Sequence, residues 1–224
     1  MTLILLPTVE VEPSGWAEPG YEKLIHTDAW DALWERSLSR WQLEPITPHA
    51  WQVSTASFVS EEALTNLLSL QLRRSGVQDF LNRDGEVEPD ERRISSLYGG
   101  YVLFDADGRR IAFPSCCCDL ADLAEWRRAA SLVDGKDALL DIGHGNWSAR
   151  REGTSVLLTQ GPEWHYFEPI TTSVPADELL AATYVAERAV EAFRLRLLPI
   201  LHRLVEDGTK AERLSLLMVG LPVK

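Results

Sequence analysis

The chain has 224 residues, 22 Lys and Arg against 34 Asp and Glu, and a formal net charge of −12. Such an acid excess repels nucleic-acid phosphates and anionic membranes, so neither is an expected partner; it suits a basic protein partner or, the commoner case, simply solubility. A hydrophobic share of 45% supplies ample core, and three adjacent cysteines cannot build a disulfide framework, which points to a reducing compartment.

The N-terminal apolar run, Leu3 to Leu6, is too short for a signal-peptide core, and no stretch approaches the ~20 apolar residues of a membrane span. The expectation is a cytoplasmic protein. Arg outnumbers Lys and Ala and Leu are frequent, a bias of GC-rich bacterial genomes.

In chain order, Thr2 to Leu6 reads as an opening strand and Pro7 to Pro19 as a loop. Thr27 or Asp28 caps a helix to about Arg40, with Trp30, Leu33, Trp34, Leu38 and Trp41 on one face, the pattern of a core-facing stripe. Trp51 to Val59 alternates loosely, as a strand does. Ser60 is a good N-cap, followed by Glu61 and Glu62 and by Leu64, Leu67, Leu68 and Leu72 in a helix ending at Gly76. Asp79 to Arg93 is the most polar stretch and reads as a solvated loop. Asp84-Gly85 and Asp105-x-Asp107-Gly108 each match only a fragment of a calcium loop.

The stretch with most local signal is Gly99 to Val133. Tyr101 to Phe104 and Ile111 to Phe113 flank Asp107-Gly108, which is a hairpin signature, and Pro114 ends the second strand. Asp119 is placed to cap a helix, with Asp122 adding charge that suits the helix dipole, and Asp134-Gly135 marks the stop. Cys116, Cys117 and Cys118 therefore lie where a strand hands over to a helix N-terminus. Such a place favours thiolates, yet cysteines are also among the residues most often buried as small apolar groups. Packing is the expectation.

Ala138 to Ile142 reads as a strand, Gly143-His144-Gly145 as a loop, Trp147–Ala149 and Thr154–Thr159 as a second hairpin turning at Glu152-Gly153, and Trp164 to Phe167 as one more short strand. Pro175 opens a helix over Asp177 to Glu206 that Pro199 is expected to kink or break. Asp207-Gly208 stops it, and Thr209 caps a last helix through Leu217. The sum is one α+β domain over 1–224, with an antiparallel sheet, hairpins near 101–113 and 147–159, and a C-terminal helical segment over 175–219. That last segment is expected to pack across the sheet, with a homodimer contact as the alternative.

Several familiar chemistries have no motif here: there is no G-x-S-x-G elbow, P-loop, H-E-x-x-H or C-x-x-C. One composite site remains, Cys116, Cys117 or Cys118 with His144 or His165, oriented by Asp119 or Asp141. A thiol beside an imidazole is an activated nucleophile, and Cys116 and Cys118 with His144 and His165 make a zinc-type donor set. No cofactor is otherwise implied.

The run Gly99-Gly100-Tyr101 to Pro114, Cys116-Cys117-x-Asp119-Leu120 and Trp126 resembles a group of bacterial proteins that share a Gly-Gly-aromatic strand, a Pro-x-Cys-Cys-x-Asp-Leu junction and a downstream Trp. Those proteins commonly have Gly where Cys118 stands. The resemblance carries over no activity and no catalytic residue. Acidic bacterial chains of this style also resemble immunity proteins that neutralise toxins, which implies a non-enzymatic, protein-binding function. The alternative is a thiol- or zinc-dependent enzyme at the cysteine junction.

Overall fold

In a computed structural model of the chain, the described residues are 2–17, 21–23, 29–48, 50–75, 95–114, 118–143, 147–161, 169–205 and 207–223. In order they form strand β1 (Ile4–Glu10), the single turn α1 (Pro13–Trp16), helix α2 (Ala29–Arg40), strand β2 (Gln52–Ser54), helix α3 (Glu61–Arg74), strands β3 (Gly99–Phe104) and β4 (Arg110–Ala112) and helix α4 (Leu123–Ala130). Strands β5 (Asp137–Leu140), β6 (Trp147–Glu152), β7 (Ser155–Gln160) and β8 (Ile170–Pro175) follow, then helices α5 (Ala176–Leu204) and α6 (Gly208–Met218). Two four-stranded sheets result, ordered β2-β1-β3-β4 and β5-β6-β7-β8. Antiparallel sheets with helices and a long C-terminal helix make the fold α+β. Among the described residues no helix is long and apolar enough to cross a membrane.

The chain divides into two compact units, Met1–Thr8 with Tyr98–Val190, and Val9–Leu97 with Glu191–Lys224. Strand β1 and helix α5 each run from one unit into the other.

The first unit holds β3, β4, α4 and the second sheet. In that sheet β6 and β7 pair over six residues each, from Trp147↔Gln160 to Glu152↔Ser155, and Gly153 at φ +57° makes the tight connection. The period of two is plain in its burial: Trp147 and Ala149 on β6, Val156 and Leu158 on β7 and Val174 on β8 are buried. On α5 the buried residues Leu179, Ala182, Ala186 and Val190 recur at helical spacing. Fully burying each large apolar side chain contributes about 1.5–3 kcal/mol before the entropy of ordering it. The outer edge of β5 is occupied by α4: Arg128 donates to the Leu139 carbonyl, and the Asp141 N–H donates to Glu125 at 3.1 Å.

The second unit is built on aromatic rings. Trp16 meets Trp41 edge-on at 5.3 Å and Phe58 at 6.0 Å, and Phe58 meets Phe193 at 5.8 Å. Trp34, Leu33 and Leu38 bury the inner face of α2, while Trp30 stacks on Trp34 at 5.7 Å. Ser60 caps α3 by accepting the Ala63 N–H. The buried Gln71 donates to the Ser95 and Ser96 carbonyls, which satisfies an amide that would otherwise be costly to bury. Arg194 grips both oxygens of Glu191 at 2.8 Å and reaches Glu212 and Ser215 on α6.

Some elements differ from the sequence expectation. Strand β1 continues through Pro7 to Glu10, where Pro7, Thr8 and Val9 are buried in succession, so the stretch is a covered strand and not a surface loop. Trp51 to Val59 is strand only at Gln52–Ser54. The Ser54 hydroxyl then accepts the Ala56 N–H, and Arg196 collects the carbonyls of Thr55, Ala56 and Phe58, so a 3₁₀ turn forms where a ladder was expected. Helix α5 is not interrupted at Pro199: Leu197, Ile200 and Leu201 are buried around it, and packing outweighs the one lost hydrogen bond. Asp207, not Thr209, caps α6, accepting the Thr209 and Lys210 N–H groups. Strand β8 at Ile170–Pro175 was not foreseen; the expected strand at Trp164–Phe167, the caps Thr27 and Asp28, and the loop Asp79 to Arg93 lie outside the described residues.

Candidate functional site

At the entry to α4, in the first unit, β3 meets Cys118 and Asp119. The junction starts from two glycines. Gly99 and Gly100 hold φ of +144° and +100°, a backbone that side-chained residues rarely adopt. The Gly99 N–H donates to the Cys118 carbonyl at 2.9 Å, and Tyr98 bridges to Asp119. A Cβ on Gly100 would stand 2.9 Å from the Cys118 Cβ and 3.3 Å from that of Pro114. The glycine pair is thus what lets β3 approach the cysteine segment. Thr8 on β1 donates to the Gly100 carbonyl at 3.2 Å, and the Tyr101 hydroxyl donates to the Leu120 carbonyl at 2.7 Å.

The turn Leu120–Asp122 then leads into α4 through a capping box. The Asp119 carboxylate accepts the Ala121 N–H at 2.7 Å, and the Asp122 carboxylate accepts the Asp119 N–H at 3.1 Å. Asp122 is 9% exposed. Burial pushes its carboxyl up to about 7; the charge of Asp119 adds to this, the hydrogen bond from the Asp119 N–H opposes it, and Asp141 and Glu125 raise it further. Burial thus opposes the negative charge that the sequence reading placed at Asp122 to suit the helix dipole. Burial likewise pushes the Tyr101 phenol well up, helped by the charges of Asp122 and Asp119 and opposed by Arg127.

Around this core, Trp126 and Trp147 pack at 6.1 Å, and neither indole N–H has a hydrogen-bond partner among the described residues. Arg127 pairs with Glu187 at 3.0 Å and lies 5.3 Å over the Tyr184 ring. Chemically, the arrangement can take up or release a proton near neutral pH at Asp122.

Of the residues singled out in the sequence, Cys118 and Asp119 lie at this junction. Cys118 is 1% exposed and fills the space the missing Gly100 side chain leaves. Asp141 is exposed beyond β5 and bears on Asp122 through its charge. Cys116, Cys117, His144 and His165 lie outside the described residues. Among the described residues no three His, Cys, Asp or Glu side chains are grouped as a metal ion requires. The calcium-like fragment is otherwise engaged: Asp105 accepts the N–H groups of Asp107 and Arg109, and Arg109 Nε at 2.9 Å, while Asp84 and Gly85 are outside the described residues. Tyr101 and the burial of Asp122 were missed. The available signal was the Asp-x-x-Asp spacing, which is that of a reciprocal cap.

The second unit has its own feature, an open groove along α3 lined by Trp41, Glu61, Glu62, Thr65, Asn66 and Arg73, in which Glu61 is already paired with Arg203. No family model, no curated protein and no solved structure matches the chain.

Proposed function

We propose that the protein is a non-enzymatic binding module of the bacterial cytoplasm whose acidic surface engages a basic protein, in the manner of an immunity protein. The observation that carries this reading is the net charge of −12 on 224 residues. Complementary charge steers encounter and sets specificity, and is screened by salt. The role of Cys118 as a filler of a tight junction supports the reading, since a buried, packed thiol is chemically quiet.

The test is affinity capture from the source organism at low and high salt, followed by reconstitution with the purified candidate. A basic partner whose affinity falls steeply with ionic strength supports the proposal. Stoichiometric zinc in the purified protein, or one thiol reacting far faster than glutathione, would replace it with the thiol- or zinc-dependent enzyme centred on Cys116 to Cys118.

A further inference from the structure

The turn Asp119–Asp122 carries a tension that a hydrogen-bond inventory alone does not show. Its capping box closes on the Asp119 N–H, and the same turn presents the Cys118 carbonyl to Gly99 and the Leu120 carbonyl to Tyr101. Two contacts of β3 with the segment from Cys118 to Leu120 therefore depend on the turn staying closed. Yet the carboxyl that closes it is nine-tenths buried, and the charged groups that act on it most are acids: Asp119 from the turn itself, Glu125 from α4 and Asp141 from the end of β5. From β3 it is faced by Tyr101, a neutral phenol, and a Cβ on Gly100 would lie 3.6 Å from Asp122 Oδ2. The nearby cation Arg127 is committed to Glu187 on α5, and Arg128 to Glu125. An anion at Asp122 is thus both desolvated and repelled, whereas a neutral carboxyl still accepts the Asp119 N–H.

We propose that the Asp119–Asp122 turn is a proton-held latch: a neutral Asp122 keeps it closed on strand β3, and loss of the proton loosens it. Opening returns Asp122 to water, where a carboxyl has its ordinary value of 3.8, against about 7 when closed. Between those values the closed form binds more protons than the open one. Opening therefore releases a proton and becomes easier as pH rises through that window, then levels off above it, where both forms are ionised. The latch is tightest in mild acid and weakest at and above neutrality.

Two measurements on the intact protein test this. The Asp122 Cγ resonance should titrate with a midpoint near 7. Amide-exchange protection at Gly99, Asp119 and Ala121, corrected for intrinsic rates, should fall at least about tenfold between pH 5 and pH 7 and then level off. The amides of Val156 and Leu158 in the β6–β7 ladder serve as references and should not follow. In Asp122→Asn, which keeps an acceptor without the charge, the fall should vanish. A Cγ midpoint below about 5, or an equal fall in Asp122→Asn, overturns the proposal. Should that variant fail to fold, the wild-type resonance and protection profile decide the matter together.

Discussion

Strand β3 is flanked by two buried aspartates that the molecule treats in opposite ways. Asp105, 2% exposed, sits at the hairpin turn; Asp122, 9% exposed, sits at the entry to α4. Desolvation disfavours the anion at both. At Asp105 that push is overcome by the hydrogen bonds from the Arg109 N–H and side chain and the Asp107 N–H, and the carboxyl is held below its usual range. At Asp122 one N–H opposes burial while three carboxylates reinforce it, and the carboxyl rises to about 7. Burial alone therefore does not set the charge of an aspartate; the count and sign of its neighbours do.

The comparison can be broken in several places. The largest effect is expected from Gly100→Ala, which forces a side chain into a backbone at φ +100° and to within 2.9 Å of Cys118. A loss of about 2–4 kcal/mol in chemical denaturation is the expected outcome. Next is Asp122→Asn, which should stabilise the protein by about 2–3 kcal/mol more at pH 8 than at pH 5. Asp105→Asn should do the reverse, lowering the melting temperature at pH 8.

The two pH profiles have opposite signs. The folded value of Asp105 is depressed, so its stabilisation is present above its unfolded value and is lost as acid titrates it through the folded one. The folded value of Asp122 is raised, so stability tied to it declines as pH climbs from about 4 to about 7. Subtracting the denaturation profile of each Asn variant from wild type isolates these two curves. The smallest effects should come from the neighbours: Asp119→Asn, which keeps the cap, should lower the Asp122 midpoint, and Glu125→Gln should lower it less, both followed by carboxyl NMR. An unmoved midpoint in Asp119→Asn would show that burial acts alone there.

Much of the first unit was legible because its signals are local. Asp-Gly between apolar runs marked the β3–β4 hairpin, Gly153 the β6–β7 turn, and Asp119 the start of the α4 segment, since a turn or a cap is decided by adjacent residues. The chemistry of Asp122 was not legible, because it depends on its burial and on Asp141 acting from beyond β5, which no spacing reveals. The 3₁₀ turn at Thr55–Ser57 was misread for the same reason: Arg196, distant in sequence, holds its carbonyls. Pro199 shows tertiary packing outvoting a local rule.

Each compact unit is stitched from two separate lengths of chain, with crossings within β1, between Leu97 and Tyr98, and within α5. A nascent chain leaving the ribosome therefore reaches Leu97 with neither unit finished. The first unit becomes complete once Val190 has been made, and the second must wait for the final helix, so that no single cut in the backbone could set either one loose whole.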